Sequence, residues 1–250
     1  MLAFARECVS MASMRINQYL AQVLGISRRT ADKEIASGKV TLRGVKATLG
    51  DQVAEGDKVE FKGKPVVQKT VALTTVMLNK PVGYVTSRLH DETEAPTVMD
   101  LLPPELQHLK PVGRLDKESG GLLLLTDDGD LLYRSTHPKF RTEKVYLVEF
   151  DSPLSEREVL QWKRGLKLTD GIARADDIVR EGRHYRVTLH QGKNRQIRRM
   201  AGLSGNKVNV LTRVKMGDAE LGDLKEGKWK VFTQKTMTVK PPRSTPKKRP

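Results

Sequence analysis

Apolar residues recur along this chain in two rhythms, one helical and one alternating. Over residues 15–24, Ile16, Leu20 and Val23/Leu24 share one face at helical spacing, and Gly25 closes the segment. Ser27 then offers an N-cap to a second helix ending at Gly38. In it Ala31 and Ile35 point inward while Arg28, Arg29 and Lys33 fall largely elsewhere. Short strands are predicted at 40–42 and 57–61, with Gly44 as a turn. Residues 62–70 mix Gly, Pro and Lys without periodicity and mark a candidate linker.

Beyond it the texture changes. Strand-like runs at 76–78, 122–125, 145–150 and 185–189 alternate with two helices, which predicts an α+β domain. One helix opens at Ser155 with Glu158 three residues on, a capping box, and ends near Gly165. The other runs from about 195 to 203, with Ile197 and Met200/Ala201 on one face. The last residues, 240–250, carry prolines and basic charge with nothing to bury, and are expected to be disordered and able to touch phosphates. The expected organisation is an extension over 1–13, a first domain over 14–66, a linker over 67–74, a second domain over 75–235 and a tail over 236–250.

A formal net charge of +15 over 250 residues, with 30 acidic residues also present, points to a polyanionic partner. Neutralising about 6 to 10 phosphates shifts affinity by roughly a thousandfold or more over a modest salt range, so the charge supplies binding but no chemistry. The single cysteine, Cys8, excludes an internal disulfide and fits a reducing cytoplasm. No apolar run approaches a membrane span, and residues 1–13 make a poor signal peptide; Met1, Met11 and Met14 are all open as the initiator. His90, His108, His137, His184 and His190 have no metal-ligand spacing, and no phosphate loop, nucleophile elbow or cysteine dyad is visible. Neither a metal nor a cofactor is expected.

Three segments carry candidate chemistry. Gly113-Arg-Leu-Asp-Lys-Glu-Ser-Gly-Gly121 sets Arg114 and Asp116 two apart in a glycine-flanked loop before an apolar strand; elsewhere such a loop is a solvated turn. Gln191-Gly-Lys-Asn-Arg-Gln-Ile-Arg-Arg-Met200 gathers Arg195, Arg198 and Arg199 at the opening of a helix. They are placed to bind phosphate, to hold a carboxylate ionised, or simply to face solvent. Tyr146 lies on a strand with Val148 and Phe150 on its face, a pattern that by itself favours a core tyrosine.

Two sets of motifs resemble known families. Residues 15–61, through Arg15-Ile-Asn-Gln-Tyr-Leu20, Ser27-Arg-Arg-Thr-Ala31, Gly38-Lys-Val40 and Gly56-Asp57, resemble the S4 (α-L type) RNA-binding module, with Asn17 in place of the usual acid and Arg43 in place of the usual Asn. That resemblance implies RNA contacts from Arg15, Ser27, Arg28, Arg29, Lys33 and Lys39. Residues 76–232 resemble the catalytic domain of the RsuA/RluB/RluE/RluF-type ribosomal RNA pseudouridine synthases. The matches are Leu78-Asn-Lys-Pro-Val-Gly83, Gly113-Arg-Leu-Asp116 with Ser119-Gly120, Lys144-Val-Tyr-Leu-Val148, Gly192-Lys-Asn-Arg-Gln-Ile-Arg-Arg-Met200, and Val208, Leu211, Arg213 and Gly217. The implied fold is a mixed, mainly antiparallel sheet with flanking helices.

The resemblance further implies that Asp116 attacks the target uridine, at the ribose C1′ or on the base. Tyr146 would stack on the uracil, Arg198 would pair with Asp116, and Arg114 would help displace the target. Lys80, Arg195, Arg199, Leu211 and Arg213 would contact RNA. The chemistry is consistent with one carboxylate: the base is cut from C1′, turned and rejoined through C5, so no water is activated, whereas a hydrolytic glycosidase normally needs two. The partner implied is ribosomal RNA or an assembly intermediate, with 23S RNA favoured over 16S by Asn194-Arg-Gln-Ile-Arg-Arg199, and a monomer is expected. The alternative is a non-catalytic S4-type RNA-binding or ribosome-assembly protein.

Overall fold

A computed structural model of the chain describes residues 13–66, 73–88 and 95–233. Cys8, Met1 and Met11, His90, the greater part of the expected linker and the basic tail lie outside the described residues. The chain divides into two compact units between Ala72 and Leu73. Among the described residues no helix is long and apolar enough to cross a membrane.

The first unit opens with α1 (Ile16–Leu24), which ends on Gly25 in the left-handed conformation, and α2 (Arg28–Ala36), capped by the Ser27 hydroxyl accepting from the Thr30 amide. Ile16, Tyr19 and Leu20 meet Ala31 and Ile35, and Val40, Leu42 and Val59 complete this core. Four short antiparallel strands follow in the order Val45–Lys46, Val40–Leu42, Val59–Phe61, Lys64–Val66.

The last of these corrects the first part, 62–66, of the candidate linker over 62–70; residues 67–70 lie outside the described residues. Lys62 and Gly63 both take positive φ (53° and 74°), the backbone of a two-residue hairpin turn, and return the chain onto Val59–Phe61. Pro65 is tolerated because an edge strand needs no outward donor. Val66 is buried and its carbonyl accepts from Tyr19 Oη at 2.9 Å. Arg43 uses a similar turn, with φ 53°, and its guanidinium grips Asp57 by two bonds of 2.7 and 2.6 Å, holding that carboxyl down at about 2. Asn17 bonds to Asp32 on α2 at 2.8 Å, so both departures from the S4 pattern are used locally.

The second unit is built on a mixed sheet of nine strands among the described residues. Its path runs Asp177–Glu181, His184–Leu189, Lys144–Phe150, Val208–Met216, Gly120–Thr126, Thr75–Lys80, Trp229–Val231. Every pairing is antiparallel except one, where Thr212 and Arg213 meet Gly120 and Gly121. There the two halves of the sheet approach so closely that a Cβ on Gly121 (φ 97°) would stand 2.3 Å from the Arg213 carbonyl oxygen. Only glycine fits at this junction.

Leu123 and Leu125 face one core while Leu122 and Leu124 face another, which is why the run over 122–125 shows no polar alternation. A third core surrounds Trp162 of α4 (Glu156–Arg164) and Met200 of α5 (Gln196–Leu203). Ser155 caps α4 reciprocally: its amide donates to Glu158 Oε2 at 2.8 Å and its Oγ accepts from the Glu158 amide at 3.3 Å. Ser155→Ala is expected to cost about 1 kcal/mol and to lower the melting temperature by about 2–4 °C; an unchanged calorimetric melt would show that the cap contributes nothing here. A further helix, α3 (Gly129–Thr136), is capped by Asp128 Oδ1, which accepts from the Asp130 and Leu131 amides.

Candidate active site

The loop before the Gly120–Thr126 strand carries Asp116, and its backbone is held carbonyl by carbonyl. Asp116 O accepts from the Ser119 amide at 3.0 Å and from Lys80 Nζ at 3.2 Å. Lys117 O accepts from the Gly83 amide at 2.8 Å, Glu118 O from Arg198 Nη2 at 2.7 Å, and Ser119 O from Lys80 Nζ at 2.7 Å. One residue earlier, Leu115 exchanges two bonds with the Thr86 hydroxyl while its side chain enters the core. The loop is thus fixed through its main chain, leaving the Asp116 carboxylate 31% exposed at the cleft.

Lys80 is fully buried, with a third bond to Pro81 O, and burial pulls its ammonium down to about 8. It was expected among the RNA contacts. Instead it staples the two ends of the Asp116 loop from inside the protein.

Arg198, expected to pair with Asp116, spends its guanidinium on backbone carbonyls: Glu118 O and, through Nη1, Val208 O at 2.9 Å. Among the described residues the cation within 4 Å of the Asp116 carboxylate is Arg195, whose Nη1 lies 3.9 Å from Oδ2 and 2.7 Å from Glu118 Oε2. Arg195 occupies the N-cap of α5 with φ 46°, a left-handed conformation unusual for a side-chain-bearing residue. Sequence spacing assumes a regular helix at that point, so the reversal of side-chain direction is invisible to it. Glu118, the other partner of Arg195, received no role from the sequence; its place two residues after Asp116 in the same loop was the available signal.

The cleft has a volume of about 770 Å³. Asp116, Arg114 and Tyr146 line it together with Lys144, Leu211 and Arg213 on its sheet floor. Arg114 is exposed and makes no hydrogen bond or ion pair among the described residues. Tyr146 is half-buried between two cores and faces Arg213 across the strand pair. Arg213 is 2% exposed; its Nε donates to Leu122 O at 2.8 Å and its Nη2 is buried without a partner. It is a floor residue rather than a surface phosphate contact. Lys144, which the sequence motif contained but left without a role, is pulled down to about 8 by burial and by the neighbouring Arg213 charge.

The remaining expected contacts fall into two groups. Arg199 is committed to Asp170 at 2.8 Å and Thr169 at 2.9 Å, and so supports the 169–170 turn instead of facing the cleft. In the first unit Arg15, Arg28, Arg29 and Lys33 are exposed, Lys39 pairs with Glu34 at 2.9 Å, and Ser27 serves as the α2 cap. Among the described residues no group of three or more His, Cys, Asp or Glu is placed to hold a metal.

Residues 74–202 match the family model described as RNA pseudouridylate synthase. An Aquifex aeolicus protein named as an uncharacterized RNA pseudouridine synthase is 37% identical, covering 90% of this chain and 92% of its own. The dual-specificity RNA pseudouridine synthase RluF of Escherichia coli is 35% identical over 89% of this chain and 76% of its own. Ribosomal small subunit pseudouridine synthase A of Yersinia pestis is 36% identical over 88% of this chain and 95% of its own. A crystal structure of a pseudouridylate synthase superposes with a TM-score of 0.64 at 30% identity, covering 91% of this chain and 99% of that one.

Proposed function

This chain belongs to the RNA pseudouridylate synthase family, and we propose that it isomerises a uridine of ribosomal RNA, 23S in preference to 16S, through the Asp116 carboxylate. The observation that carries the residue assignment is the construction of the loop. Four consecutive carbonyls are anchored so that one carboxylate can stand in a cleft floored by an aromatic ring and rimmed by arginines. A binding-only protein, the alternative open in the sequence, gains nothing from that arrangement.

In this reading the target nucleotide leaves its stack and enters the cleft, at a cost of a few kcal/mol that phosphate contacts and stacking on Tyr146 offset. Arg114 fills the vacated position in the RNA. Arg195, nearer to the carboxylate than Arg198, favours its charged form, and Arg198 positions the loop. Residues 14–66 act as an S4-type RNA-binding unit, presenting Arg15, Arg28, Arg29 and Lys33 to structured RNA. The preference for 23S rests on Asn194-Arg-Gln-Ile-Arg-Arg199; overall identity does not separate the relative named for the small subunit from the dual-specificity one.

Purified protein incubated with unmodified 23S and 16S transcripts, followed by carbodiimide labelling and primer extension, is expected to give a pseudouridine stop in 23S alone. A stop only in 16S would reverse the subunit assignment; a stop in neither would sink the ribosomal reading.

A further inference from the structure

The segment over 133–141 at the edge of the cleft carries a second set of chemistry. Phe, Trp and Tyr make up only 5% of the chain, yet Tyr133, His137 and Phe140 meet here. The Tyr133 ring centroid lies 4.9 Å from that of His137 and 5.6 Å from that of Phe140, the latter edge to face. Lys139 Nζ stands over both neighbours, 5.0 Å from the Tyr133 centroid and 4.6 Å from that of Phe140. Tyr133 is 44% exposed, because the buried side of α3 is Leu131 and Ser135. These rings therefore do not serve a core.

The cluster is continuous with the active cleft. His137 belongs to both, Thr136, Pro138 and Arg141 beside it line the cleft, and the α3 C-terminus lies next to the Asp116 loop, where a Cβ on Gly113 would make an ordinary contact with Thr136 Cγ2 at 3.7 Å. Thr142 anchors the following turn by donating from Oγ1 to Arg134 O at 3.1 Å. Lys139 gives this lip positive charge beside its rings, and the largely exposed Arg141 adds to it while pairing with Asp176 at 3.7 Å. Aromatic faces next to cations are what an unpaired nucleotide binds, the base on the ring and the phosphate on the ammonium.

We propose that Tyr133, His137, Phe140 and Lys139 form a second nucleobase site, which stacks an unpaired nucleotide adjoining the target uridine. The need follows from flipping: a neighbour of the extruded nucleotide loses a stacking partner, and a ring platform at the cleft mouth replaces it. The inference rests on the RNA-modifying reading, but its test does not use turnover. Ten-nucleotide oligoadenylate holds no uridine, so binding is read without reaction, and an abasic ribose-phosphate oligomer of equal length carries the same charge without bases.

Tyr133→Leu in the full chain is expected to weaken oligoadenylate binding about tenfold and to leave abasic binding unchanged, while Tyr133→Phe binds both as the unsubstituted protein does. Lys139→Gln should weaken both probes alike. Unchanged oligoadenylate affinity in Tyr133→Leu would overturn the site, and so would an equal loss on both probes, which would mark a structural effect. Absence of pseudouridine formation by the unsubstituted protein, with these binding results intact, would fault the catalytic reading instead.

Discussion

Asp116→Asn is expected to lower the rate of pseudouridine formation by on the order of a thousandfold or more while leaving RNA affinity nearly unchanged. The substitution keeps the side chain's shape and removes its charge and its capacity to attack or accept a proton. The loop itself should not move, because it is held by the carbonyls of residues 116–119 and not by the carboxylate. The Arg195 guanidinium, 3.9 Å from Asp116 but 2.7 Å from Glu118, retains its stronger partner in the variant, so no buried cation is stranded. Nucleoside analysis of modified transcripts reads the rate, and gel mobility reads the affinity. Full activity in the variant would remove Asp116 from the chemistry. A parallel fall in affinity would instead make it an RNA-positioning group.

The parts of this architecture that show in the sequence are those governed by local rules. Ser27 and Ser155 announce α2 and α4 because capping is chemistry between residues three apart. The helix α3 is capped just as locally, by Asp128, but stays hidden because one of its two buried positions is the polar Ser135, so no apolar period marks its inner face. The Val208–Met216 strand is obscured by register shifts against Lys144–Phe150, which break the alternation that a strand otherwise displays. In the cleft, Gly113-Arg-Leu-Asp116 is visible as a motif, but the division of labour among the arginines is not. Whether Arg195 or Arg198 approaches Asp116 depends on one left-handed residue at the start of α5 and on carbonyls 80 and 10 residues away from Arg198. Lys80 is the extreme case. A lysine in sequence reads as a surface charge, and only the closure of the Thr75–Lys80 strand over the Asp116 loop turns it into an internal clamp.

That clamp makes Lys80→Met the second severe substitution. Methionine fills similar volume but leaves the carbonyls of Pro81, Asp116 and Ser119 without the shared donor, at about 1–3 kcal/mol for each buried carbonyl that finds no other. Loss of the buried charge offsets part of this, since desolvation already weakens the ammonium. The pH dependence separates the two terms. With the folded pKa near 8 and the ordinary value 10.5, the unfolded chain binds more protons between those limits. The Lys80 contribution to stability therefore rises with pH across that window, by at most about 3 kcal/mol. Urea unfolding from pH 7.5 to 10 should accordingly show a steeper rise for the unsubstituted protein than for Lys80→Met. Catalysis should move the other way. A neutral amine has two donors for three carbonyls, so the loop loosens above pH 8, and the rate of the unsubstituted enzyme should fall there as its stability climbs. In Lys80→Met the displaced Asp116 loop should lower kcat by about a hundredfold below pH 8 with KM little changed, and the gap should narrow above it. Parallel pH slopes for the two proteins would remove Lys80 from the titration, and a kcat equal to that of the unsubstituted enzyme would mean that the Asp116 loop holds its place without Lys80.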